Sequence, residues 1–365
     1  MSSLGTDRCW AEVDRSALLH NARVARERMG SATGLLAVVK ANAYGHGMDE
    51  VAQTLRDEAR LFGVANVHEA QELRASGLEH PIMILGPALP EERAAINEHR
   101  FIASVSSFEE ACGFLGNSAG VNFAIDTGMG RMGCWHEQAI AELEQIARLP
   151  DLKLHSISTH LPSADEDPAF TEHQLIEFQL LVRQMRARVP GKYQVHALLT
   201  AGLLGFANHC FDIVRAGLML YGSSPLPSEQ QFLRPVLTLK SRVCLLRDLP
   251  AGRSVSYGRT FTTTRPTRVA TISAGYADGY PRSLSNRGAA ILIGGQRCPV
   301  LGRVTMDLTM ADVSAVKEVR LGDEAVLLGR QGAEEILAAE VAERAGTIAW
   351  AVFTDIGSRV SRVYL

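Results

Sequence analysis

The sequence predicts an N-terminal (β/α)8 TIM-type barrel followed by a mostly antiparallel C-terminal β domain. Up to about residue 222, eight short apolar runs recur, and most gaps between them carry amphipathic helical patterns. After about residue 235 the runs become short, β-branched and separated by turns. Strands that are apolar throughout and joined by helices are parallel strands covered on both faces, and eight such units close a barrel. A doubly wound sheet is the alternative, which the count of eight disfavours.

CWAEVD, near 9–14, reads as a strand that precedes the barrel and can pair with the β domain. The barrel strands then follow as LLAVVK, LFGVAN, PIMILG, FIASVSS, GVNFAIDTG, LKLHSISTH, YQVHALLT and DIVRAGLMLYG, placing the barrel at 10–232. The clearest helix is HQLIEFQLLVRQMRARV, with Leu175, Phe178, Val182, Met185 and Val189 on one face. In the β domain, 233–365, the segments LTLKSRVCLL, TRVATISAGY, AAILIGG, RCPVLGRVTMDLTMADV and DEAVLLG read as strands. One short helix, EEILAAEVAERAG, interrupts them and stops at Gly346.

Composition narrows the partners. Hydrophobic residues make up 46% of the 365 and charged residues 21%, enough to bury a large core and too apolar for a disordered chain. A net charge of −3 lacks the basic excess that nucleic acid or an anionic membrane would attract. No apolar run is long enough to span a bilayer, and MSSLGTDRCWAEVDR lacks the apolar centre of a signal peptide, so a cytoplasmic location is expected. The six cysteines (Cys9, Cys112, Cys134, Cys210, Cys244, Cys298) show no C-x-x-C spacing and read as free buried thiols of a reducing compartment.

The chemistry gathers at strand ends. In LLAVVKANAYGHG an apolar strand ends on Lys40. Such a lysine either snorkels to water or is held at the barrel mouth to form an imine with a carbonyl cofactor. Functional residues of these barrels sit at the C-terminal ends of strands. Here Lys40 ends the first, Asp126 the fifth, His160 the sixth and Thr200 the seventh, and Arg215 lies near the eighth, just before Gly217. Each alone reads as a cap, a turn residue or a solvated charge; five on one rim read as a site. TGMGRMG at 127–133 matches G-x-G-x-x-G, but a dinucleotide fingerprint follows the first strand of its unit. This one follows the fifth, and the next strand ends in Thr159-His160 where a ribose-binding acid would stand. The glycines read better as a tight turn that aims Arg131 inward. No His-x-His marks a metal-dependent hydrolase, and no metal is expected.

AVVKANAYGHG, IDTGMGRMG, STH, VRAGLMLYG, SVSYGRTF, GYADGYPR, GRVTMD and the ending GSRVSRVYL, in this order along nearly the whole chain, resemble the alanine racemase family. The resemblance implies a pyridoxal phosphate (PLP) enzyme that interconverts L- and D-alanine by two bases and supplies D-alanine for peptidoglycan. It implies that Lys40 holds PLP through an imine and, once freed by substrate, serves one face of Cα, while Tyr257 serves the other from the partner subunit of a head-to-tail homodimer. Arg215 then faces the pyridine nitrogen, and His160 packs against the ring and relays hydrogen bonds towards Arg215 and Tyr257. The phosphate falls to Tyr44, Thr200 and the N–H groups of Gly217 and Leu218. The substrate carboxylate falls to Arg131 and the Met306 N–H. Tyr276 lines the entrance, and Asp307 organises that corner or serves a turn.

Four positions depart from the family pattern. Ala124 stands where many members carry a carbamylated lysine that orients the arginine. Leu199 and Thr200 replace an Asn-Ser pair, and Trp350 stands where a tyrosine is usual, its indole N–H still able to donate to phosphate. These changes leave open a racemase of another small amino acid such as serine, since an apolar pocket rejects one extra hydroxyl by about a hundredfold at most. A PLP-dependent decarboxylase and a non-catalytic PLP-binding protein are the further alternatives; the first needs no second-face tyrosine, and the second resembles the barrel alone.

Overall fold

The computed structural model describes residues 7–365. The chain forms two compact units, one of 18–43 and 48–234, the other of 7–17, 44–47 and 235–365. Strand β1 (Cys9–Val13) belongs to the second unit.

The first unit holds β2 (Gly34–Val38), β3 (Leu61–Val64), β4 (Ile82–Pro87), β5 (Ile102–Val105), β6 (Val121–Asp126), β7 (Cys134–Trp135), β8 (Leu154–Ser158), β9 (Gln194–His196) and β10 (Ile213–Ala216). Eight of these pair in parallel in the order β10-β2-β3-β4-β5-β6-β8-β9. The circle closes where Asp212 N–H donates to Val195 O at 3.0 Å and Arg215 N–H to Leu198 O at 2.9 Å. All eight expected strands lie where the apolar runs placed them. Strands β3, β5, β6 and β10 are buried at every residue, as strands covered on both faces must be. The two-residue β7 was not expected: the glycine loop after β6 returns and pairs alongside Ile125 and Asp126.

The longest connecting helix, Pro168–Arg188, starts on Asp167, whose side chain accepts the Phe170 N–H, with Pro168 in the first turn. Its expected stripe of Leu175, Phe178, Val182 and Met185 is buried, and Val189 is buried just past the last turn.

The second unit is built on β11 (Leu237–Leu249), with β12 (Ser254–Val255), β13 (Phe261–Thr262), β14 (Thr267–Ile272), β15 (Ala290–Ile293), β16 (Gln296–Pro299), β17 (Thr309–Asp312), β18 (Glu324–Gln331), β19 (Glu334–Ile336) and β20 (Ser361–Tyr364). The main sheet runs β16-β15-β18-β11-β1-β20. Every pairing is antiparallel except β1 with β20. A register shift between Val243 and Leu245 lets one strand serve two sheets, its first half pairing β1 and β18 and its second half pairing β14. Val255, Val269, Leu301 and Met310 form a small core there.

Two expectations need correction. EEILAAEVAERAG is not helical throughout: Glu334–Ile336 is strand β19, paired with β18, and the helix begins at Ala338 and ends at Ala345 on Gly346 in the left-handed region. A further helix, Ala349–Thr354, follows at once. All six cysteines are free, but only Cys134 and Cys298 are buried, and Cys244 is exposed. Among the described residues no helix is long and apolar enough to cross a membrane.

Candidate active site

Lys40 stands two residues beyond β2, and the chain there does something no ordinary strand end does. Ala41, Asn42, Ala43 and Tyr44 have φ of 53°, 53°, 52° and 51°, a full turn in the left-handed region. Each such residue costs roughly 1–2 kcal/mol, so the turn must be held. Ala43 N–H donates to Val39 O at 2.8 Å, Ala41 N–H to Glu69 Oε1 at 2.8 Å, and Met48 N–H to Asn42 Oδ1 at 2.9 Å. Burial, and then the charge of Arg131, push the Lys40 amine below the usual lysine range, while Glu69 works the other way. A half-buried, acidified amine is not a snorkelling lysine.

Arg215 lies within β10 and is buried. It donates to Thr159 O and Ala197 O, both at 2.7 Å, and faces His196 Nδ1 at 2.5 Å and His160 Nδ1 at 3.3 Å. A guanidinium only donates, so both facing ring nitrogens accept and both imidazoles are neutral. Burial first, and then Arg215, Arg131 and Lys40, push His160 down to about 3. Burial and Arg215 hold His196 well below the usual range. Burial also lowers Arg215, to about 10, which leaves it charged at neutral pH. With its Nδ1 accepting, His196 donates from Nε2 to Ser156 Oγ at 3.3 Å, and Ser156 donates on to Asn122 Oδ1 at 2.9 Å.

Thr200 opens a short helix after β9, and its hydroxyl oxygen accepts the N–H groups of Gly217 at 3.2 Å and Met219 at 3.4 Å. Leu218 is the first residue of the next short helix, where N–H groups lack intrahelical partners. Asp126 takes the turn role: its Oδ1 accepts the N–H groups of Gly128 and Met129. Gly128, Gly130 and Gly133 all have positive φ, and a Cβ on Gly133 would lie 2.9 Å from the Asp126 amide nitrogen. The glycine pattern therefore shapes the loop that carries Arg131. Arg131 acts electrostatically on Lys40, His160 and Arg215 alike, so these four groups converge on one rim. Ala124, buried in β6, adds no charge to offset them.

In the second unit, Tyr44 is buried, which pushes its phenol up to about 12, and the Trp350 side chain hydrogen-bonds it. Arg362 Nε donates to Gly45 O at 3.0 Å. Gly45 and Gly47 have φ of 79° and 99°; a Cβ on the first would strike Phe353 O, and on the second the Tyr364 hydroxyl. Tyr276 N–H donates to Thr305 O and Ala277 N–H to Met306 O, both at 3.0 Å, which seats Tyr276 against Met306. Asp307 accepts from Arg359 at 2.8 Å, and Arg359 also grips Asp278. Tyr257 begins a short turn after Ser256, whose φ is 65°, and is 71% exposed.

The structure thus brings Lys40, Arg131, His160, Thr200, Arg215, Gly217 and Leu218 to one rim, Tyr44 to Trp350, Tyr276 to Met306, and Asp307 to Arg359. Sequence reasoning missed Glu69, His196 and Gln174. Gln174 donates to Thr127 Oγ1 at 2.7 Å and His160 O at 3.1 Å. His196 ends β9 and was open to the strand-end argument; Glu69 and Gln174 lie inside helical patterns and carried no signal. Among the described residues no cluster of His, Cys, Asp and Glu could hold a metal ion.

PLP fits these residues. An acidified amine, a buried donor-only cation and a hydroxyl among backbone N–H groups match its aldehyde, ring nitrogen and phosphate. The fold and rim define a PLP-binding protein of the barrel-plus-β-domain type. The model for the alanine racemase N-terminal domain matches residues 13–225, and that for the C-terminal domain matches 236–364. The chain belongs to the alanine racemase family. It is 42% identical over 364 residues to an alanine racemase of Methylacidiphilum infernorum, covering 98% of this chain and 92% of that one. An alanine racemase of Carboxydothermus hydrogenoformans is 40% identical, covering 98% and 99%. Among solved structures, alanine racemase of Clostridium difficile superposes with a TM-score of 0.91 at 31% identity, covering 99% and 96%. That of Bacillus anthracis with bound L-Ala-P gives 0.88 at 34%, covering 98% and 95%.

Proposed function

We propose that this protein interconverts L- and D-alanine with PLP, as a homodimer with shared sites, in the cytoplasm, supplying D-alanine for peptidoglycan. Free cysteines and the absence of disulfides among the described residues fit a reducing compartment. Lys40 holds PLP; Tyr44, Thr200, Gly217, Leu218 and Trp350 hold its phosphate. Bound PLP supplies the electron sink that acidifies the substrate Cα–H.

The remaining work belongs to the chain. Lys40, its amine lowered by burial and Arg131, is the better able to stand neutral and take or return a proton on one face. Tyr257 of the partner subunit does the same on the other. Arg131 and the Met306 N–H orient the substrate carboxylate, Tyr276 narrows the entrance, and Asp307, tied to Arg359, braces that corner. Arg215 carries the reading. Buried, charged and donor-only between two neutral imidazoles, it can hydrogen-bond the pyridine nitrogen without readily surrendering a proton to it. Electron withdrawal is thereby limited, which favours simple proton return over side reactions.

The test is Cα–H exchange by NMR in D2O for both forms of alanine and serine, with a chiral assay on the same samples. Exchange with inversion, strongest for alanine and reduced at least about a thousandfold in Lys40→Ala and Tyr257→Phe, is the expected result. Serine ahead of alanine moves the substrate assignment. No exchange with PLP bound removes the racemase reading.

A further inference from the structure

Glu69 takes none of the roles above, yet it touches the lysine turn. It lies in the first turn of helix Val67–Ala75, which follows β3, the strand beside β2. Its Oε1 accepts the Ala41 N–H at 2.8 Å and its Oε2 the Ala65 N–H at 2.7 Å. Ala41 follows Lys40 and opens the left-handed turn; Ala65 follows the end of β3. The helix already has its cap, since Asn66 Oδ1 accepts the Glu69 N–H at 3.0 Å. The carboxylate instead joins two neighbouring strand ends through two charge-assisted bonds. Around the Lys40 amine, Arg131 comes from the loop after β6 and opposes protonation, Glu69 favours it, and His160 from beyond β8 is neutral.

We propose that Glu69 is a positioning residue for Lys40. Its carboxylate pins the Ala41 amide, so holding the turn that presents the lysine, and its negative charge works against that of Arg131 at the lysine nitrogen. This rests on the reading of Lys40 as the residue that holds PLP.

The holoenzymes of wild type, Glu69→Gln, Glu69→Asp and Glu69→Ala are compared, with Asn66→Ala as a control that weakens the same helix. Borohydride reduction and peptide mapping come first. PLP absent from Lys40 in the wild type sinks the underlying reading and this inference with it. With PLP on Lys40, Glu69→Gln should lower kcat about a hundredfold in both directions, with KM for alanine within about twofold. The pH midpoint of the visible cofactor absorbance should fall, because a lost negative charge disfavours the protonated nitrogen. Glu69→Asp keeps the charge and should bring the midpoint back towards wild type. Asn66→Ala should lower only the unfolding temperature. If Glu69→Gln keeps the wild-type midpoint and kcat, or if Asn66→Ala moves the midpoint as far, Glu69 is a helix residue and no more. Glu69→Ala removes both bonds and can fail to fold, so the Gln and Asp variants decide.

Discussion

Arg215 has no lone pair to offer, so every group facing it must accept. That single constraint makes His160 and His196 neutral and sets the electrostatics of the rim. It also has a consequence for stability. Burial, mainly, lowers His155 to about 4 and His160 to about 3, and His196 lies well below its ordinary value. The unfolded chain protonates all three near pH 6.5. Between about 6.5 and about 4 the unfolded state therefore holds protons that the folded state lacks, and stability is lost as pH falls through that window. His155 is the least enclosed of the three, lowered also by Lys153 and Arg60. Calorimetric proton uptake on unfolding at about pH 5 should fall by about one proton in His155→Gln; unchanged uptake would mean that His155 already titrates normally when folded. Strand-end position made Lys40, His160, Thr200 and Arg215 legible from sequence. Glu69 and Gln174 were not, because their roles exist only as bonds between distant segments.

The lysine turn shows what an element owes to its neighbours. Ala, Asn, Ala and Tyr in succession carry no local preference for left-handed backbone beyond the asparagine, so this conformation could not be read from sequence. The two glycines that follow could be. Gly47 has a φ of 99°, and a side chain there would strike the Tyr364 hydroxyl. Gly47→Ala should destabilise the protein by roughly 1–3 kcal/mol through backbone strain and overlap. Adding Tyr364→Phe should recover part of that loss, leaving the strain, with a coupling of at least about 0.5 kcal/mol in a double-mutant cycle by urea unfolding. Strict additivity would show that the two residues do not meet. The misread EEILAAEVAERAG makes the complementary point. Glu334–Ile336 lies within an apparently helical pattern, but a two-residue turn lets it pair with β18, and that pairing outweighs local periodicity.

At the scale of the molecule, eight apolar runs specified the barrel because each must be covered on both faces, a demand that sequence displays directly. How two copies would share a site, as proposed above, is displayed by nothing so simple. Tyr257, Met306 and Tyr276 are 71%, 53% and 40% exposed in the β unit, unusual for the base and the two substrate-enclosing residues proposed above. A base that works at Cα needs a site from which water is excluded, and a second copy would provide the cover. Co-expressing Lys40→Ala chains with Tyr257→Phe chains tests this. In a mixed dimer with shared sites, one site joins both defects and the other joins an intact Lys40 to an intact Tyr257. With random pairing, half the dimers are mixed and each keeps one working site of two, so about a quarter of the wild-type rate should return. If each chain supplied both bases to its own site, every site would carry a defect and the mixture would be no more active than its parents. The two arrangements thus differ by a large factor in one assay, and neither outcome depends on knowing the dimer's geometry in advance.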